Sequence, residues 1–302
     1  MSFRAGFVAV AGRPNVGKST LVNRILGQKI AAVSPRPQTT QRNQLGIFTD
    51  EQVQVVFVDT PGLHKPVHRL GEFMNQEALD ALLDADLLLW LLDASQPLSE
   101  EDRALAARLK EQRRLPAVWL VLNKADLAKG DALETLAREA GELFPPEKQF
   151  TISAARGKGV DDLLSAVKAR LPEGDAFYDS EQITDRYERD IAADLVREAA
   201  LEHLEDEIPH TIAVKVEEYN ERGESGAHIL AAIYVEREAH KGIVIGKQGE
   251  MLKKIGTSAR QAIEEMSGRK VFLELRVKVQ KNWRNTPEGL RAFGFLRDKG
   301  TK

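Results

Sequence analysis

Residues 12–20 read GRPNVGKST and follow directly on the apolar run FVAVA. This G-x-x-x-x-G-K-[ST] frame constrains the chain more than any other feature. A Gly-rich loop between a strand and a helix wraps its backbone N–H groups, and the helix N-terminus behind them, around a phosphate. Gly12, Asn15, Val16, Gly17, Lys18, Ser19 and Thr20 are the expected cradle. Lys18 is placed to reach the β- and γ-phosphates, and the Ser19 hydroxyl to ligate Mg2+.

Such a loop needs a buried sheet behind it. GFVAVAG, VQVVFVDT, DLLLWLLDA and AVWLVLNK are rich in Val and Leu, as parallel strands covered on both faces are. Between them lie the amphipathic stretches STLVNRILG and EEDRALAARLKEQ, and VDDLLSAVKARLP closes the series before Pro172. Strand alternating with helix predicts a doubly wound α/β domain over residues 1–172, with its ligand at the carboxyl ends of the strands. Residues 173–185 carry turn residues and acids without a period and read as a linker. Over 186–302 the order changes to helix, two alternating strands, helix and strand, an α+β domain with a basic tail.

Composition narrows the function. The chain has no cysteine, which excludes disulfides, thiolate metal sites and cysteine nucleophiles. ADLLLWLLDA is too short to span a bilayer. The first residues lack the apolar region of a signal peptide, so a cytoplasmic location is expected. The net charge of −3 hides an asymmetry: residues 240–302 hold fifteen Lys or Arg against six Asp or Glu. An acidic front with a basic back is expected where one part meets nucleic acid.

The base comes from LVLNKADL, where Asn123, Lys124 and Asp126 end a buried strand. A carboxylate there accepts from guanine N1–H and the 2-amino group, an edge that adenine lacks. VFVDTPGL places Asp59 at a strand end for the Mg2+ shell and the Gly62 N–H for the γ-phosphate. TISAARG offers the Ser153 and Ala154 backbone near guanine O6. These motifs, in order and spacing, resemble the TRAFAC class of GTPases.

Residues 29–44 have no apolar period and look like the first switch loop. Thr39 and Thr40 both stand where a threonine caps Mg2+ and the γ-phosphate. Relatives with T-R-D here favour Thr40, although Gln41 replaces the usual Arg. After D-T-P-G stands Leu63, which cannot orient a water as glutamine does in Ras-like proteins, so slow intrinsic hydrolysis is expected. Asn15 resembles the asparagine of K+-activated members, where K+ does the charge-neutralising work of an arginine finger. It also suits an unusual loop dihedral. His64 and His68 read as part of the second switch rather than as a metal pair.

In the second half, Ile245, Gly246, Lys247, Gln248 and Gly249 form an I-G-x-x-G turn feeding an amphipathic helix. In the KH fold this turn clamps about four unpaired nucleotides, and the order of elements is that of a type II KH domain. Ile243, Ile245, Leu252, Ile255 and Ile263 are expected in its core or groove. Lys253, Lys281, Trp283 and Arg284 are expected on the RNA face. The tail's basic residues and interleaved aromatics, Trp283 among them, can stack on bases or equally pack the last helix onto the domain, and packing is favoured for Phe293 and Phe295.

Together, N-x-G-K-S, P-Q-T-T, D-T-P-G, N-K-x-D and S-A, followed by a type II KH domain and KNWR, resemble the Era family of bacterial GTPases over essentially the whole chain. The resemblance implies GTP and GDP as ligands. It also implies the 3′ end of 16S rRNA and the 30S subunit as partners, and a role in small-subunit assembly. Peripheral contact with the cytoplasmic membrane face is a further implication, and a monomer is expected.

Overall fold

The structure, a computed structural model, describes residues 2–34, 39–63, 66–221 and 226–296. Contacts divide the chain into two units, residues 1–31, 40–65 and 74–185 in the first, and 32–39, 66–73 and 186–302 in the second.

In chain order the elements through residue 170 are β1 (Arg4–Ala11), α1 (Lys18–Leu26), β2 (Gln44–Thr49), β3 (Val53–Asp59), α2 (Arg69–Leu83), β4 (Leu87–Asp93), α3 (Glu100–Glu111), β5 (Ala117–Asn123), α4 (Ala132–Leu143), β6 (Lys148–Thr151) and α5 (Val160–Arg170). The six strands form one sheet in the order β2-β3-β1-β4-β5-β6, parallel except for β2. Every residue of β3 and β4 is buried, the outcome expected when helices cover both faces. Val8, Val10, Phe57 and Leu89 pack with Leu21 of α1 and Leu163 of α5 on one face. Ala9, Ala11, Leu88 and Trp90 pack with Ala78, Leu105 and Leu136 on the other. Helix α3 starts with a reciprocal cap, the Ser99 hydroxyl accepting from Asp102 N–H and the Asp102 carboxylate from Ser99 N–H.

Residues 173–185, read as a linker, are fastened to the first unit. The Gln54 side chain accepts from the N–H groups of Phe177 and Tyr178 at 2.7 and 3.0 Å. Ile47 N–H donates to Ile183 O, and the Phe177 ring lies 4.9 Å from that of Phe7. Individual hydrogen bonds hold this stretch, so it needs no periodic pattern.

The second unit contains α6 (Glu188–His203), β7 (Ala213–Glu221), β8 (Ala227–Val235), α7 (Glu238–Ile245), α8 (Glu250–Ser267), β9 (Val271–Val279) and α9 (Pro287–Ala292). Its sheet runs β7-β8-β9, antiparallel and then parallel, with β9 an edge. Ile191 and Leu195 of α6, Ile229 and Ile233 of β8, and Ile255 and Ile263 of α8 make the core. Ile243, expected in core or groove, is 52% exposed. The short helix α7 does not show as a separate element in the sequence, because GIVIG runs apolar without a period.

Candidate functional site

The carboxyl ends of β1, β3, β4 and β5 bring Gly12, Asp59, Asp93 and Asn123 to one edge of the sheet, where an open α/β fold binds ligands. The loop between β1 and α1 is held in a conformation that only special residues tolerate. Gly17 has φ 101°, and a Cβ there would collide with the Asn123 side-chain amide. Asn15 is the loop's non-glycine residue in the left-handed region, φ 64°, and is exposed. Val16 is buried, and Thr20 lies in the first turn of α1.

Lys18 folds back so that Nζ donates to the carbonyls of Gly12 and Arg13 at 3.1 and 3.0 Å. Burial lowers its pKa to about 8, with Asp59 opposing the shift. The Ser19 hydroxyl donates to Asp59 Oδ2 at 2.6 Å and lies 3.1 Å from Thr40 Oγ1, which is 3.5 Å from the same carboxylate oxygen. Of the two candidate threonines, Thr40 is the one whose hydroxyl joins this cluster. Thr39 belongs to the second unit, where its carbonyl accepts from the buried Arg197 at 2.7 Å. Burial raises Asp59 to about 6, and its Oδ1 is buried without a hydrogen-bond partner among the described residues. A carboxylate oxygen left in that state beside two hydroxyls is a donor set that fits a hard, oxygen-seeking dication such as Mg2+. Gly62 backs onto Pro14 of the loop, and Leu63 is buried in the core.

At the base end Asn123 and Ala154 are bonded to each other. Both ends of the Asn123 amide are used internally: Nδ2 donates to Val16 O at 2.8 Å and Oδ1 accepts from Ala154 N–H at 2.9 Å. Asn123 therefore ties the phosphate loop to the 153–154 turn, and the Ala154 N–H is committed to it. Ser153 is buried, its N–H donating to Lys158 O. Lys124, φ 61°, donates Nζ to Asp93 Oδ2 at 2.7 Å. Burial alone would raise the Asp93 carboxyl, but the bonds from Lys124 and Ser95 outweigh it and hold the group below its usual range. Asp126 is exposed, with Arg156 Nε 3.9 Å away.

Several supporting residues were not singled out from the sequence. Arg13 reaches Asp102 at 3.3 Å and Gln96 at 2.9 Å, and Arg24 donates to the carbonyls of Ala154 and Ala155 at 3.1 and 2.6 Å. Their signal is slight: Arg13 lies within the loop motif, and Arg24 stands nearly two turns along its helix. His64 lies outside the described residues, as do Pro35–Gln38 of the first switch.

In the second unit, Gly246 (φ 75°), Gln248 (φ 52°) and Gly249 (φ 81°) turn the chain from α7 into α8. A Cβ at Gly246 would lie 2.6 Å from Met251 Cβ. Lys247, Gln248 and Lys253 are exposed, and Ile245 is half-buried against the core. Beyond the turn, α8 and the edge strand β9 flank a groove of about 450 Å³ floored by Leu252, Gly256, Leu273 and Leu275. The tail is corrected. Trp283 is fully buried, its indole N–H donating to Thr211 O at 2.9 Å and its ring packed on Phe293 and Phe295, so it cannot stack on a base. Arg284 turns inward to His210 O at 3.0 Å and Glu236 at 2.6 Å. Lys281 is exposed.

Sheet, phosphate loop and Gly-turn domain define a class, a P-loop GTPase joined to a KH domain. A family model described as 50S ribosome-binding GTPase matches residues 7–124, and one described as KH domain matches 207–284. GTPase Era of Carboxydothermus hydrogenoformans is 44% identical over 98% of this chain and 99% of its own length. GTPase Era of Ruminiclostridium cellulolyticum is 43% identical over 99% of this chain and 100% of its own. A crystal structure of Era in complex with MgGDPNP and nucleotides 1506–1542 of 16S ribosomal RNA superposes with a TM-score of 0.90 at 37% identity, covering 98% of this chain and 100% of that one. A single-residue variant of Aquifex aeolicus Era bound to GDP.AlF4- gives the same figures. The chain belongs to the Era family of GTPases.

Proposed function

We propose that this GTPase is a switch that binds the 3′ end of 16S rRNA through its second domain and assists assembly of the 30S subunit in the cytoplasm. The observation that carries the reading is the joining, in one chain, of the Lys18–Ser19–Thr40–Asp59 cluster with the Gly246–Gly249 turn, whose Lys247 and Gln248 are exposed. The relative solved with 16S rRNA nucleotides supports the identity of the RNA.

In this reading the cradle 12–20 binds the phosphates, with Lys18 on the β- and γ-phosphates and the Gly62 N–H at the γ-phosphate. Ser19, Thr40 and Asp59 hold Mg2+, which when bound neutralises charge building on the transferred phosphoryl group. Asp126 reads the guanine edge, Lys124 covers it, and Asn123 keeps the phosphate loop and the 153–154 turn in register. Leu63 supplies no group to orient water, so intrinsic turnover is slow. The Asn15 side chain holds K+, whose charge does the work of an arginine finger. Residues 245–249 and Lys253 clamp the RNA backbone, and Lys281 adds charge. The chain acts as a monomer with peripheral contact at the cytoplasmic membrane face. No helix among the described residues is long and apolar enough to cross a membrane.

The test separates the two halves. Gly246→Asp should abolish binding of a labelled RNA ending in the 16S 3′ sequence while leaving GTP hydrolysis, measured as phosphate release. RNA binding that survives this substitution would remove the Gly-turn from the reading.

A further inference from the structure

The phosphate loop contains a second cation besides Lys18. The Arg13 side chain is only 14% exposed and sits between two carboxylates that are each 3% exposed. Its Nε lies 3.3 Å from Asp102 Oδ2 on α3, and its Nη2 lies 3.8 Å from Asp93 Oδ2 at the end of β4. Nη2 also donates to Gln96 Oε1 at 2.9 Å. Both carboxylates are pinned. The Ser95 N–H and hydroxyl donate to Asp93 Oδ1 at 3.0 and 2.6 Å, and the Ser99 N–H and hydroxyl donate to Asp102 Oδ2 at 3.1 and 2.9 Å. Two lysines from opposite ends of the site terminate on this network. Lys18 Nζ donates to the Arg13 carbonyl at 3.0 Å, and Lys124 Nζ donates at 2.7 Å to the same Asp93 oxygen that faces Arg13. Burial lowers the Lys18 pKa most, Asp59 opposes it, and Arg13 lowers it further.

We propose that Arg13 is a positioning residue for GTP binding and turnover, whose guanidinium sets the phosphate-side Lys18 and the base-side Lys124 relative to one another through Asp93 and Asp102. The inference rests on the roles given above to Lys18 and Lys124. A buried carboxylate that loses its cation still bears the desolvation cost of its charge. Without the guanidinium, Asp93 therefore relies on Lys124 alone and holds it more tightly, so that Lys124 is less available to cover the guanine. The main chain of Arg13 is the second link, because its carbonyl is one of the two that fix Lys18. Arginine suits this work. Its charge is permanent and its planar fork engages two acceptors at once, whereas an ammonium is a point charge.

The experiment is a double-mutant cycle on the full chain, with wild type, Arg13→Gln, Arg13→Lys, Lys124→Met and Arg13→Gln/Lys124→Met. Affinity is measured with fluorescent GDP and turnover as phosphate release. Thermal midpoints confirm that each variant is folded, and Arg13→Lys carries the same cycle should Arg13→Gln melt below the assay temperature. Arg13→Gln should weaken GDP binding and lower kcat by up to about 100-fold, the cost of a group displaced by about 1 Å. Arg13→Lys, which keeps the charge without the fork, should fall between it and wild type. With Lys124 already replaced, the loss of GDP affinity caused by Arg13→Gln should be at least about 2-fold smaller, the lower bound for residues sharing one network. A general loosening of the fold would weaken binding by the same factor with and without Lys124, and that result would overturn the proposal. Unchanged GDP affinity and kcat in Arg13→Gln, with binding weakened in Lys124→Met, would overturn it and leave the reading of the base end standing. Unchanged affinity in Lys124→Met would overturn that reading and the coupling with it.

Discussion

Two lysines separate the two halves of the molecule. Lys18 is buried, tied to two carbonyls and carries a pKa lowered to about 8. Lys247 stands on an open turn, exposed to solvent. The first site takes a small anion of fixed shape, so its groups are desolvated and committed in advance, and each interaction there is strong. The second takes a flexible polymer in water. Its charges stay solvated and act collectively, and its strength depends on salt. The same residue type thus does two different kinds of work, and substitutions should report the difference.

The largest effect is expected at the guanine edge. Asp126→Asn replaces an acceptor with a group that presents a donor to the same edge, and should weaken GTP binding by at least about 100-fold, measured with a fluorescent GTP analogue. An unchanged affinity would remove Asp126 from base recognition. Next is Lys18→Met, for which phosphate release should fall about 100- to 1,000-fold, the cost of removing one preorganised charge from a dry site.

Trp283→Ala should leave nucleotide affinity alone and destabilise the second unit by about 3–5 kcal/mol, the cost of emptying a core aromatic site. Denaturant melts of the full chain check this. A smaller loss, accompanied by weaker RNA binding, would return Trp283 to the RNA face.

The pH dependence follows from Asp59. Its folded pKa is raised to about 6 from an unfolded 3.8, so the neutral acid stabilises the ligand-free protein at low pH and that contribution is lost as pH rises through about 6. Mg2+ requires the carboxylate. Its affinity should therefore fall about tenfold per pH unit below 6 and be flat above it, as Mg2+ titrations of the GDP-bound protein between pH 5 and 8 will show. The smallest effect is at the open turn: Lys247→Ala should weaken RNA binding a few-fold for every sequence and reduce the salt slope by about 0.7.

What could be read in the sequence follows the same division. Strands β1, β3, β4 and β5 announce themselves as apolar runs because both of their faces are buried. β6 does not, since Lys148, Gln149 and Thr151 are exposed. The phosphate loop is legible because its chemistry demands fixed spacing. The network that holds it is not, since Asn123 bridges to Val16 across 107 positions and Arg24 to Ala154 across 130. The tail misled for a related reason. Basic residues interleaved with aromatics have one composition whether they face a base or a core, and only the partners of Trp283 and Arg284 reveal that both point inward.

The most direct test of the switch is the affinity for an RNA ending in the 16S 3′ sequence, measured with the protein loaded with GDP and with a non-hydrolysable GTP analogue. Tighter binding in the analogue-bound state, abolished by Gly249→Asp, is the predicted result. Equal affinity in the two nucleotide states would contradict it and would mean that the GTPase cycle reports to some other partner.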